Sequence, residues 1–333
     1  MVKKGSDHST TQRYRLSANV RFKKQQARNS AAHRKDATVM FGKEGYVVRP
    51  STTNSYQERL NRVLIHIQKN LDEPLTIERL AEVACLSPFH FHRIFSAHVG
   101  ETVTGYVRRL RLERAATRIA FTGESVTDTA LGVGYETPAA FTRAFRERFG
   151  MSPSEFRGQQ RETILSFAEN STAKEIIVMK PEMREFSKTK VLFVRRTGAY
   201  GEAATAAWEA LMGFAYKNRL MTGETLMVGI GHDDPAITAE EKIRYDACVT
   251  FSGDVKPEGE VGIQTIAGGR YAVFLHKGAY TGLPEIYRNI FAGWLATSGC
   301  TLRDQPCFEV YLNRDPRRTK PENLRTEIWV PVV

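Results

Sequence analysis

Residues 87–95 read SPFHFHRIF, two histidines and three phenylalanines in nine positions. Such a stretch could hold a metal, fill a core, or touch a partner. Ser87 can cap a helix whose first position is Pro88, where a missing N–H costs nothing. On that helix Phe91, Ile94 and Phe95 share a stripe expected to pack inward, while Phe89, His92 and Arg93 fall toward the other side. His90 and His92 are two residues apart and point about 200° from each other on a helix, so they cannot chelate one ion. Neither has an i,i+4 histidine partner, and no metal or cofactor is expected. What is left is a face meeting solvent or a partner.

Working outward, residues 76–106 (TIERLAEVACLSPFHFHRIFSAHVGETVTGY) align with residues 125–156 (SVTDTALGVGYETPAAFTRAFRERFGMSPSEF). Ala81 meets Ala130 and Leu86 meets Tyr135; after a turn one residue longer in the second copy, Arg93 meets Arg143 and Gly100 meets Gly150. Two copies make a paired module and not a solenoid. In each, a short capped helix (Thr76 with Ile77, Leu80, Ala81 and Ala84 in the first) runs into a tight turn. A second helix follows, opening on Ser87-Pro88 or Thr137-Pro138. This is helix-turn-helix grammar, and its duplication points the exposed side of each second helix at DNA. Arginine there can pair bidentately with guanine. Leu60, Val63, Leu64 and Ile67 predict a preceding helix, and GYVRRLRLERAATRIAFTG a continuous linking helix that Gly123 ends.

Residues 56–158 resemble the AraC-type transcription regulators. The motifs are SPFHFHRIFSAHVGETVTGYVRRLRLERA, with a Tyr-x-x-x-x-Arg-Leu-x-x-Ala linker, and GYETPAAFTRAFRERFGMSPSEFR. The resemblance implies base contacts at Phe89, His92 and Arg93 in the first unit, and at Pro138, Ala139, Ala140 and Arg143 in the second. Ser87, His90, Thr137 and Arg146 complete the DNA-facing set. Three of the four second-unit positions carry no hydrogen-bonding side chain. Unit one is therefore expected to discriminate sequence, while unit two grips phosphate through Arg143, Arg146 and Thr137. Thr129 stands where the family has a core isoleucine.

Bulk composition bounds the rest. The chain of 333 residues suits two domains and a tail, with hydrophobic and charged fractions of 41% and 26% that are globular values. Of the net charge of +11, residues 1–50 supply +9, from 12 Lys/Arg against 3 Asp/Glu. That basic tail lacks periodicity and reads as disordered. Residues 51–158 carry 14 basic against 12 acidic side chains, so charge placement must serve phosphate. Scattered cysteines, no apolar run of about 18 residues and no secretory leader give the expectation of a reduced, cytoplasmic chain without membrane spans.

Residues 159–175 are polar and read as a linker or fraying helix. From 176 to 333 the pattern is strand, helix, strand, strand, twice over, with Gly198-Ala199-Tyr200 recurring as Gly278-Ala279-Tyr280. The expectation is an α+β domain of two βαββ halves with pseudo-twofold symmetry around a ligand cavity. Strand alternation separates Phe308, Val310 and Leu312 from Glu309 and Tyr311, and Ile328 and Val330 from Glu327 and Trp329. Placing the aliphatic faces under the helices gathers Glu309, Tyr311, Glu327 and Trp329 on the opposite face. That face is either an aromatic pocket with an anion inside, suited to a lipophilic cation or a ligand with a hydrogen-bond donor, or an open sheet whose glutamates face water.

Residues 174–333 resemble the GyrI-like ligand-binding domain, through the two Gly-x-Tyr segments (with Tyr200 and Tyr280), FEVYLNRDP and LRTEIWVPV. The resemblance implies a cavity centred on Glu309, with Glu327 and Trp329 on its other wall. Reader first and GyrI-like domain second is the order of the Rob-type regulators. Together these readings give a regulator that binds double-stranded DNA and a small-molecule effector. Contact with RNA polymerase is implied by the resemblance, and a monomer is expected because two readers in one chain can span adjacent major grooves. The alternatives are hydrolysis at Glu309, as in some GyrI-like proteins, or binding of a gyrase-like protein partner.

Overall fold

The computed structural model describes residues 50–170 and 180–333. The basic tail lies outside the described residues, apart from Pro50, which opens the first helix. Seven helices build the first domain: α1 (Pro50–Lys69), α2 (Ile77–Val83), α3 (Pro88–Val99), α4 (Val103–Phe121), α5 (Val126–Gly132), α6 (Pro138–Phe149) and α7 (Pro153–Asn170). Side-chain oxygens of Thr76, Ser87, Ser125 and Thr137 each accept the amide three residues on, so all four repeat helices start on the caps the sequence offers. Gly100 and Gly150 close both reader helices in the left-handed conformation.

Each unit has its own core. Leu80, Phe91 and Phe95 pack with Leu60, Val63, Ile67 and Leu110 in one; Ala130, Phe141 and Phe145 pack with Ala115, Ile119 and Phe156 in the other. Ile94 is only half-buried at the edge of its core. Thr129 is fully buried yet satisfied, its hydroxyl donating to the Ser125 carbonyl at 2.9 Å. The helices hold a fixed pose through α4. Arg109 bridges Glu101 (2.6 Å) and the buried Glu113 (2.9 Å), and Arg111 donates to the carbonyls of Leu71 and Glu73, both at 2.7 Å.

Of the two readings of residues 159–175, linker or fraying helix, the described part is helical through Asn170. Helix α7 runs through Asn170, because Ser152 and Glu155 form a reciprocal capping box, Ser152 N–H donating to Glu155 Oε2 at 2.7 Å and Glu155 N–H to Ser152 Oγ at 3.3 Å. Arg157 then ties it to the Ile119 and Glu124 carbonyls at the end of α4.

The second domain is one eight-stranded antiparallel sheet of β1 (Glu182–Phe186), β2 (Thr189–Thr197), β3 (Met227–Gly231), β4 (Arg244–Thr250), β5 (Gly262–Ile266), β6 (Gly269–Lys277), β7 (Phe308–Tyr311) and β8 (Arg325–Pro331). Its order is β1-β6-β8-β7-β3-β4-β2-β5. Each half is therefore ββαββ and not βαββ; β1 (EMREF) and β5 (GIQTI) lie at the sheet edges and are mostly charged, polar or small residues, so no β-rich run marked them. Order reads alike from both edges once β1–β4 are matched to β5–β8, and the two short strands are exchanged, β1 bordering β6 and β5 bordering β2.

Helix α8 (Tyr200–Lys217) covers Leu192, Val194, Ala247 and Val249. Helix α9 (Leu283–Arg288) continues through π-helical turns (Asn289–Leu295) and covers Ala272, Phe274, Ile328 and Val330. The other sheet face, with Phe193, Val228, Ile230, Val273, Phe308 and Trp329, receives Ile65 of α1. Beside it Asp246, fully buried, accepts from Arg195 Nε (2.6 Å), His232 Nε2 (2.7 Å) and Gln264 Nε2 (2.8 Å), while Gln68 of α1 accepts from Arg195 at 2.9 Å. Burial holds His232 below its ordinary value, hence neutral, so its Nε2–H serves Asp246 and Nδ1 accepts from Gln68 Nε2 at 3.3 Å. No helix among the described residues is long and apolar enough to cross a membrane.

Candidate functional site

The reader helices present the expected side chains outward. Ser87, Phe89, His90, His92 and Arg93 on α3 are exposed, as are Thr137, Pro138, Ala139, Ala140, Arg143 and Arg146 on α6. Phe89 is 67% exposed, an unusual state for so large an apolar ring, and the Arg93 guanidinium stacks 5.7 Å from its centroid. Stacking orders a long cation without neutralising it. Both histidines stand in solvent, and no group of ligating side chains suited to a metal occurs among the described residues.

The second reader differs. Pro138, Ala139, Thr142, Arg143 and Arg146 line a shallow recess with Glu147, which pairs with Arg108 of α4. Two arginines on a mostly apolar recess suit phosphate and sugar contact better than a base-edge code. The turns ahead of the two readers also differ. Gly134 takes φ +82°, whereas its counterpart Cys85 takes φ +52° with a side chain, its carbonyl held by Arg59 at 2.6 Å.

The pocket of the second domain forms on the helix-covered face. Glu309 sits on β7 opposite Gly229 and Ile328. Its Oε2 accepts from Tyr311 Oη at 2.5 Å and its Oε1 from Tyr287 Oη at 3.2 Å. The chain of groups continues through a Tyr245–Tyr311 hydroxyl contact at 2.9 Å to Trp208, whose indole N–H donates to Tyr245 at 2.9 Å. Trp208 and Tyr280 meet the Tyr311 ring edge-on at 5.6 and 5.4 Å. Tyr200 completes the wall, its hydroxyl donating to the Asp233 carbonyl at 2.5 Å. Gly229 makes room: a Cβ there would run into the Tyr245 and Tyr311 hydroxyls. Burial pushes the Glu309 carboxyl above the usual carboxylate range, with the two phenols opposing. No basic side chain among the described residues pairs with it.

Glu327 and Trp329 correct the sequence expectation. Register pairs Phe308 with Trp329 and Val310 with Glu327, so both belong to the face opposite Glu309. There Arg184 pairs with Glu327 at 2.7 Å and stacks 4.6 Å over Trp329, closing off that corner. Alternation separates the two faces of one strand but cannot say which face joins which on the next strand. Trp208, Tyr245 and Tyr287 were missed for the related reason that three separate elements bring them together. Their only sequence signal was an aromatic on an amphipathic helix or strand.

Comparison with known proteins now bears on this arrangement. Residues 80–159 match a helix-turn-helix domain family, and residues 179–333 match the GyrI-like small molecule binding domain. The chain thus joins an AraC-type helix-turn-helix domain to a C-terminal GyrI-like domain. It is similar to the transcriptional regulator Rob of Salmonella typhimurium, 23% identical over 287 residues, spanning 81% of this chain and 96% of that one. The right origin-binding protein of Escherichia coli K12 is 22% identical with the same coverage. A cryo-EM structure of an EcmrR–DNA complex aligns over 77% of the chain at 16% identity, with a TM-score of 0.43. The regulator is a helix-turn-helix DNA-binding protein with a small-molecule-binding domain.

Proposed function

We propose that this regulator senses a lipophilic cation in the Glu309 pocket and reads an asymmetric DNA site mainly through α3. The observation that carries the sensing half is a buried carboxylate, walled by Trp208, Tyr245, Tyr280 and Tyr311, with no basic partner. An ion without a counter-ion in an aromatic enclosure favours a ligand that brings a delocalised positive charge and flat apolar surface. Both carboxylate oxygens already accept phenol protons, which suits holding charge more than activating water, so the pocket is read as a sensor and not as a catalytic centre. The asymmetric reading rests on Phe89 and Arg93 against the mostly apolar Pro138–Ala140 surface. Two readers in one chain make a monomer on DNA sufficient; sedimentation of a stable dimer at micromolar concentration would overturn that part. Contact with RNA polymerase remains a proposal from family resemblance.

The test of the pocket is a charge pair of equal shape. Tetraphenylphosphonium should bind and quench Trp208 fluorescence, tetraphenylborate should not, and Glu309→Gln should weaken the cation at least about tenfold. Equal binding of both ions would refute the reading. For the readers, Arg93→Ala should flatten affinity across a base-substituted site series, while Arg143→Ala lowers all members alike.

A further inference from the structure

Two connections leave the Glu309 pocket, and both end on α4. The first is aromatic. Tyr287, whose hydroxyl donates to Glu309, lies parallel to Phe291 with centroids 6.3 Å apart and an interplanar angle of 11°. Phe291 in turn meets Phe121, the last residue of α4, at 5.0 Å. The second is ionic: Asp304, five residues ahead of Glu309, accepts from Arg114 at 2.5 Å and lies 3.6 Å from Arg118.

Magnitudes separate the two. The Arg114–Asp304 pair is part-exposed and worth at most about 1 kcal/mol. The ring contacts are apolar, and Phe291 lies in the π-helical turns, a backbone form of poorer packing that persists mostly where something needs it. Helix α7 rests on the same turns. Both α4 and α7 lead into the second reader: Ala115 and Ile119 from one and Phe156 from the other pack with Phe141 and Phe145 of α6. The first reader is moored differently, through Asn61, Ile65 and Gln68 of α1, the last two on the sheet face away from the pocket.

We infer that Phe291 is a positioning residue that ties the state of the Glu309 pocket to the pose of the second helix-turn-helix unit, by way of Phe121, leaving the first unit in place. The inference rests on the reading of that pocket as the effector site. A ligand that draws Glu309 away from Tyr287 frees the Tyr287 ring, the parallel stack shifts, and the end of α4 follows. Unit two, which grips phosphate, is the part whose alignment then changes.

The experiment is a double-mutant cycle on the full chain, read as the Kd for a duplex that the unmodified chain selects from a random pool. Distant sites without shared partners are additive. Glu309→Gln is expected to change Kd by about fivefold, the low end of allosteric coupling. In a Phe291→Leu or Phe121→Leu background the same substitution should change it less than about twofold, because the path is cut in either place. Tyr287→Phe, which keeps the ring and removes only the bond to Glu309, supplies a second entry point should Glu309→Gln fold poorly. Amide exchange gives the readout that a merely structural role would not move: Glu309→Gln should alter α5 and α7 and leave α2 unchanged. Additive cycles, or no change in Kd from either pocket substitution, overturn the inference. No effector is needed, so this failure is distinct from failure of tetraphenylphosphonium to bind, which overturns the pocket reading.

Discussion

Gly134→Ala should cripple the second reader, while Cys85→Gly, the corresponding position of the first, should stabilise its unit. Holding an L residue in the left-handed region costs about 1–2 kcal/mol, and the greater freedom of glycine in the unfolded chain offsets about 0.5–1 kcal/mol of that. Replacing Cys85, at φ +52° with its side chain exposed, therefore gains about 0.5–1 kcal/mol. At Gly134 a Cβ would stand 2.6 Å from the Leu71 carbonyl oxygen and 2.6 Å from Arg111 Nη2. The carbonyl is backbone and cannot swing aside, so Arg111 must yield its bonds to Leu71 and Glu73, each worth about 1 kcal/mol or more. Strain and lost bonds together come to about 3 kcal/mol. Amide exchange of α2 and α5 in the full chain reads the two local stabilities separately, which one melting curve of a multidomain chain would not. A Gly134→Ala cost below about 1 kcal/mol, or a loss of protection in α2 on Cys85→Gly, would refute the reasoning.

Other outcomes follow from the second domain. Burial raises the Glu309 carboxyl, so the folded chain holds that proton more tightly than the unfolded one. Its stabilising share is complete below the unfolded value of about 4.3 and lost as pH rises through the folded one. Glu309→Gln should therefore gain stability relative to the parent as pH rises above about 4 in thermal unfolding, and a flat difference would contradict it. Although burial alone would raise it, Arg195 and His232 hold the Asp246 carboxyl well below the usual range. Asp246→Asn leaves the Arg195 guanidinium buried without an anion and should cost about 3–5 kcal/mol with little salt dependence; a loss under about 1 kcal/mol in urea unfolding would count against it. Gly229→Ala should push the Tyr245 and Tyr311 hydroxyls aside and abolish tetraphenylphosphonium binding in fluorescence titration; unchanged cation affinity would show that those hydroxyls do not shape the pocket.

The reader was legible because its signals are local. Ser87-Pro88 and Thr137-Pro138 state where helices begin, and Phe91 and Phe95, or Phe141 and Phe145, state which side is inside. The pocket was legible only in part. Glu309 and Tyr311 share a strand, so alternation put them together, whereas Glu327 and Trp329 needed the β7–β8 register, a long-range property. Polar residues 159–170 left linker and fraying helix both open because their helix is decided upstream, by the Ser152–Glu155 box. Edge strands β1 and β5 are composed mostly of charged, polar or small residues and so do not announce themselves, and each borders a strand of the other half.

That exchange of edges has a consequence for synthesis and engineering. A ribosome that has released only the first ββαββ half has made one strand with nowhere to lie and a border awaiting a strand not yet translated, so the sensor cannot mature in instalments. Severed between Phe251 and Gly262, the halves would each carry the other's missing margin, giving a split sensor whose reassembly reports on proximity of whatever is fused to the pieces.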